Sequence, residues 1–315
     1  MRWRPASATL LGLIGLIGVS ALLAACGDDD DAAANGGRLR VVASTAILAD
    51  LATQLAGDDA EVFALIPAGA DTHGFAPSPD TTRRVAEADV VIVNSYGLEG
   101  STLEVILENI PGGASLVVAA SGLAALEGDA RGATAGGAEL ARADGDPHFW
   151  LSVRNTMVYV QNIAAALVAA DPEHAAGYRE REERALADLQ ALDEEVRAAV
   201  ATIPRERRVL VVFHDAFQYF AAAYGLELAA AVLPASPGQQ VSAGDLAAII
   251  ELVRERQIPA VYREPQFAAD ALDAVADETG ARVLTLYSGA FAGEVDSYAA
   301  LMRANAAALV AGLAE

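Results

Sequence analysis

From residue 39 onward, short apolar runs alternate with longer stretches of helical spacing. Runs at 39–43, 61–66, 90–93 and 115–119 have the length and β-branched content of strands, and helical patterns at 47–56 and 80–88 lie between them. The run Val90-Val91-Ile92-Val93 contains no polar residue, so both its faces are expected to be buried, as in a parallel sheet. A helix is predicted over 154–169. The alternation resumes with strands at 208–213, 227–233, 260–263 and 283–286, and helices at 216–224, 246–256, 270–279 and 295–313. Ser242 and Asp245 form an S-x-x-D capping signal for the second of these helices, and Asp215 stands where an N-cap for the first belongs. The pattern predicts an α/β fold of two lobes, each a parallel sheet flanked by helices.

Between the halves lies an unusually long helical stretch, 171–203. Tyr178, Ala185, Leu189, Leu192, Val196, Ala199 and Ile203 form one apolar stripe, and Glu180 and Arg184 pair at i,i+4 on the charged face. Asp171 is placed to cap it and Pro172 to open it. About 32 helical residues would span roughly 48 Å, enough to run along both lobes as a rigid link. His174, in the first turn, reads as a surface residue. The expected division is an N-terminal lobe over 38–170, a linking helix over 171–204 and a C-terminal lobe over 205–315.

The first 37 residues follow another pattern. Arg2 and Arg4 precede an apolar stretch at 9–23 that has signal-peptide length and is short for a membrane span. It ends in Leu23-Ala24-Ala25-Cys26, which resembles a bacterial lipoprotein signal: cleavage of 1–25 would leave Cys26 as the lipid-bearing first residue. Residues 26–37, with Asp28 to Asp31 in a row, read as a flexible spacer. Cys26 is the only cysteine, so no intramolecular disulfide can form. The chain is therefore expected outside the cytoplasm, held to a membrane by lipid alone. Its formal net charge of −22 argues against nucleic acid and anionic membrane surfaces as partners. All 21 basic residues are arginine.

Of the four histidines, three fall at element ends. His214 directly follows the 208–213 strand, where open α/β sheets bind ligands. His73 lies in a Gly/Pro-rich loop after the 61–66 run, and His148 in Asp146-Pro147-His148-Phe149-Trp150. A structural role is the ordinary expectation for one such histidine, but core packing gives no reason for three at equivalent places. If the two halves face each other, the three imidazoles converge. Neutral imidazoles suit Zn²⁺ and other borderline transition ions, and three with one oxygen are a common Zn²⁺ set. Asp71 and Asp146, each two residues before a histidine, are candidate carboxylates for fixing the rings from behind.

Several motifs resemble those of the zinc/manganese substrate-binding lipoproteins of bacterial ABC transporters, which include zinc-uptake binding proteins and metal-binding adhesin lipoproteins. They are Asp71-Thr72-His73 with Pro77-Ser78-Pro79-Asp80, Ala88-Asp89-Val90-Val91-Ile92 with Leu98-Glu99, Asp146 to Leu151, Phe213 to Phe220, Glu264-Pro265-Gln266-Phe267, and the spacing of Tyr298 and Asn305. The resemblance covers nearly all the chain after the spacer. It implies two parallel-sheet lobes joined by one rigid helix, metal ligands at His73, His148 and His214, and capture of Zn²⁺ or, second, Mn²⁺. It also implies delivery to a membrane permease with its ATPase, by a monomer.

One departure stands out. The family usually supplies a carboxylate after the last strand of the C-terminal lobe, and here Gly289 of Leu286-Tyr287-Ser288-Gly289 occupies that place. Glu264, at a strand's carboxyl end, is a possible substitute ligand, and water is another. The 121–144 stretch holds no histidine, so it is not a histidine-rich metal-collecting loop. Two other classes stay open from the residues: a zinc hydrolase, against which stands the lack of an H-E-x-x-H motif, and an adhesive or structural lipoprotein stapled by a metal.

Overall fold

The computed structural model describes residues 37–126, 145–233, 242–268 and 270–314. The leader with Cys26, the spacer up to residue 36 and most of the 121–144 stretch lie outside the described residues. Residues 38–315 form one compact unit.

Two four-stranded parallel sheets organise that unit. The first contains β1 (Leu39–Ala43), β2 (Ala60–Ala64), β3 (Val90–Val93) and β4 (Ser115–Val118) in the order β2-β1-β3-β4. The second contains β5 (Val209–His214), β6 (Glu227–Leu233), β7 (Ala260–Arg263) and β8 (Arg282–Thr285) in the equivalent order β6-β5-β7-β8. In each sheet the first strand lies between the second and third, so the connections diverge there and leave a crevice at the carboxyl ends. All four residues of β3 are fully buried, as its unbroken apolar run requires. Each contributes about 1.5–3 kcal/mol by leaving water.

Helices cover the faces: α1 (Ala46–Ala56), α2 (Pro79–Ala86), α3 (Ser101–Asn109) and α4 (Val153–Ala170) in the first half, then α6 (Gln218–Tyr224), α7 (Ala243–Glu255), α8 (Asp270–Thr279) and α9 (Tyr298–Leu313). The expected cap holds at α7, where Ser242 accepts from the Asp245 N–H; α2 has a capping box of Ser78 and Thr81 that sequence reasoning did not name. Helix α3 has no counterpart in the sequence pattern. It starts behind Gly100 at φ 49° with no side-chain cap, and the S-x-x-E spacing of Ser101 and Glu104 falls inside the helix rather than at its cap. Asp215 does not cap α6: its carboxylate accepts from the Gln218 side chain, and the helix starts two residues later than the cap position implies.

The linking stretch is α5 (Ala175–Ala201), about 40 Å long, preceded by a 3-10 turn at Pro172–His174. The regular helix is shorter than expected because its first turn is 3-10; the Asp171 carboxylate there takes the His174 ring and the Tyr178 hydroxyl. His174 is half exposed, as a surface residue should be. Helix α5 packs on α4, α1 and α9, so it touches helices from both halves. Asp193, buried on α5, is ion-paired with Arg154 of α4 and with Arg197. Truncating it would leave two arginines without their acceptor.

Candidate metal centre

His73, His148 and His214 converge. One ligand nitrogen from each lies within 4.8 Å of the other two, and they are the one such cluster of histidine, cysteine and acidic side chains among the described residues. The ring centroids stand 4.9–5.4 Å apart. His73 Nε2 and His148 Nε2 are 3.2 Å from each other. Two ligands at ~2.0–2.1 Å from one tetrahedral ion would be separated by ~3.3–3.4 Å, so this spacing fits a shared cation.

Each ring is placed by a local device. Asp71 and Asp146 each accept the backbone N–H of the histidine two residues on, at 3.1 and 3.0 Å, which folds both D-x-H segments into Asx turns. Asp146 alone also reaches its histidine's ring, 2.8 Å from His148 Nδ1. That contact makes Nδ1 the protonated nitrogen and turns the Nε2 lone pair toward the cluster. Asp71 acts on its turn and through its charge, without touching the His73 ring. His214 is the last residue of β5, set by strand pairing, and its Nδ1 faces Glu264 at 3.5 Å. That separation is at the outer limit of a hydrogen bond, so the attraction is chiefly electrostatic, and both buried ring nitrogens of His214 lack hydrogen-bond partners. Buried nitrogens left so are costly unless a ligand takes one.

Glu264 lies outside the nitrogen cluster. It follows β7, is buried, and accepts from the Ser288 hydroxyl and, at 3.0 Å, from Gln266 Nε2. These contacts hold it behind His214. Gly289 lines the same small cavity as the three rings, together with Trp150, Gln266, Phe267 and Ser288. The cavity measures about 10 Å³, room for about one water-sized body.

The electrostatics shift the rings in opposite directions. Burial, reinforced by the neighbouring imidazoles, holds His73 down to about 3. Burial likewise drives His148 well below the usual range. Burial also acts to lower His214, but Glu264, with Asp215 and Asp71, outweighs it and the net shift is upward. Burial pushes Asp146 up to about 6 against the His148 N–H that it accepts.

A second polar network supports the histidine loops. Glu99, fully buried, accepts from Ser44 Oγ at 2.8 Å and from the backbone N–H groups of Asn94 and Ser95 at 2.6 and 3.1 Å. Asn94 Nδ2 then donates to the Pro147 carbonyl at 2.9 Å, and Asn94 Oδ1 accepts from Tyr159. Gly100 brings its backbone against His73: a Cβ there would lie 3.0 Å from the His73 carbonyl. Ser95 and Tyr96 both have positive φ, 82° and 57°, so the turn after β3 is held in an uncommon conformation. Sequence reasoning named Leu98-Glu99 as a motif without a role and passed over Asn94, whose only signal is its place at a strand's carboxyl end.

The family model for the periplasmic component A of the zinc-uptake complex matches residues 41–312. The chain belongs to this family. It is thus a substrate-binding component of a metal ABC transporter and not an enzyme. Among its relatives, the manganese-binding lipoprotein MntA of Halalkalibacterium halodurans is 32% identical over 95% of this chain and 97% of its own length. The iron-binding protein YfeA of Yersinia pestis is 30% identical over 88% and 87%. The periplasmic zinc-binding protein TroA of Treponema pallidum has the same fold, with a TM-score of 0.78 at 24% identity, covering 89% of this chain and 100% of that one. The two parallel sheets and long helix described above match that protein's fold. No helix among the described residues is long and apolar enough to cross a membrane.

Proposed function

We propose that the chain captures Zn²⁺ through His73, His148 and His214, one water completing the set, and hands it to a membrane permease driven by its ATPase. The observation that carries this reading is the convergence of three imidazole nitrogens, two of them 3.2 Å apart, in a cavity the size of one water. Related proteins bear the names of zinc, manganese and iron. A set of three nitrogens and a water suits Zn²⁺ better than Mn²⁺, which prefers oxygen donors. The dication's charge is balanced from outside the ligand set, by Asp71, Asp146, Asp215 and Glu264. Glu264 orients and polarises His214 rather than binding the ion. The protein works as a monomer held at the membrane by lipid on Cys26 after removal of 1–25. Its lobes, 38–170 and 205–315, close on the metal across the 171–204 link.

Calorimetry on four variants tests this. Each of His73→Ala, His148→Ala and His214→Ala should lower Zn²⁺ affinity by about a thousandfold or more, the loss of one of three protein ligands. Glu264→Gln should cost about ten- to a hundredfold, the usual effect of removing an outer partner of a ligand. Full affinity in any histidine variant would break the three-histidine site, and abolished binding in Glu264→Gln would make Glu264 a ligand.

A further inference from the structure

Trp150 touches both halves of the site. It follows His148 by two residues, and the two rings meet edge to face with centroids 5.3 Å apart. Its Nε1–H crosses to the other half of the molecule and donates to the Ser288 carbonyl at 2.5 Å. Ser288 is buried beside Gly289, and its hydroxyl donates to Glu264, which faces His214. A ring of contacts therefore runs from one ligand to another through both sheets: His148, Trp150, Ser288, Glu264, His214. Its one link across the boundary between the halves is a single hydrogen bond on the wall of the metal cavity, since Trp150 and Ser288 both line it.

Other contacts between the halves lie elsewhere in the interface. Tyr298, at the start of α9, accepts from the Thr156 hydroxyl, donates to the Trp150 carbonyl and gives its backbone N–H to Asp50. Tyr219 donates to the Asp146 carbonyl. Those bonds fix the backbone on which the N-terminal ligands sit. The Trp150 indole is different, because it holds the loop that positions Glu264 behind His214. Parting the halves far enough to release an ion bound by both separates Nε1 from the Ser288 carbonyl.

We infer that the Trp150 Nε1–H bond to the Ser288 carbonyl is the latch that sets how fast the metal leaves, with Trp150 a positioning residue and not a ligand. The inference rests on the three-histidine reading. Its consequence is kinetic. The bond closes after the ion has met its ligands, so losing it speeds release and leaves association and stoichiometry alone.

Release from the purified full-length protein can be followed by stopped flow, mixing the Zn²⁺ complex with excess chromophoric chelator. Trp150→Phe removes the donor but also thins a buried side chain. Incorporating 3-benzothienylalanine at position 150 keeps the bicyclic shape and removes only the N–H. Both should release Zn²⁺ about five- to 150-fold faster, the range for one hydrogen bond whose buried acceptor is left unpaired. The isostere should keep the wild-type association rate and one-to-one stoichiometry, which a merely structural role for the indole would not separate from release. Wild-type release by the isostere, in a protein that binds Zn²⁺ normally, overturns the latch alone. Failure of the wild-type protein to bind one Zn²⁺ overturns the three-histidine reading and the latch with it.

Discussion

Gly289→Asp should turn a site of three imidazoles and a water into one with a protein carboxylate, and should tighten metal binding. The backbone admits the change: Gly289 is not in the left-handed region, and the nearest atom to an added Cβ is Trp150 Cζ2 at 3.4 Å, an ordinary contact. The residue already lines the cavity shared by the three rings. Two unit charges ~4 Å apart at an effective dielectric of ~20 attract by about 4 kcal/mol, and a dication doubles that. Burying the carboxylate costs several kcal/mol and it displaces a water ligand, so a net gain of about 1–3 kcal/mol is expected. That corresponds to roughly five- to 150-fold in affinity. Mn²⁺ should gain more than Zn²⁺, because the new donor is a hard oxygen. Chelator-competition titrations with both metals measure the gain, with circular dichroism as the check on folding. A folded variant whose affinity for both ions is unchanged or weaker would refute the placement of position 289 beside the metal.

Protons should compete with the metal at one ring, not three. His73 and His148 are held neutral by burial, whereas His214 is shifted upward, so Zn²⁺ affinity should rise with pH by about one decade per unit until His214 loses its proton, then level. Calorimetry in buffers of different ionisation enthalpy should count about one proton released below that point, and a count near three would contradict the ring environments described above. The 27-residue α5 contains no proline, and its packing on α1, α4 and α9 opposes bending, so X-ray scattering of the apo and metal forms should nearly coincide; a large-angle closure would be incompatible with that. Cys26→Ala should leave the protein as uncleaved precursor or free it from membranes, and unchanged lipid labelling and fractionation would rule out the anchor.

Much of the fold was legible because β3 is apolar throughout, β5 is apolar up to His214, and Ser242 and Asp245 mark the start of α7. The failures have local causes. Gly100 starts α3 without a cap, and Asp215 spends its carboxylate on the Gln218 side chain. His73 and His148 could be read as site residues because each sits in a D-x-H turn, a device contained in three residues. Glu264 could be placed at a strand end but not aimed, since its direction depends on Ser288, 24 positions away. The Trp150 contact spans 138 positions and joins two sheets, and no local pattern encodes it.

The position of His214 on β5 has a consequence for how the protein is made. The chain emerges from its amino terminus, so the first sheet can form while the second is still missing. That half offers two imidazoles, a weak grip on a dication compared with three. The third nitrogen comes into place only after β5 has paired with β6 and β7 and α5 has brought the second sheet alongside the first. On the three-histidine reading proposed above, a chain whose second half is still unfolded therefore has no complete site and cannot hold the metal as the finished fold would.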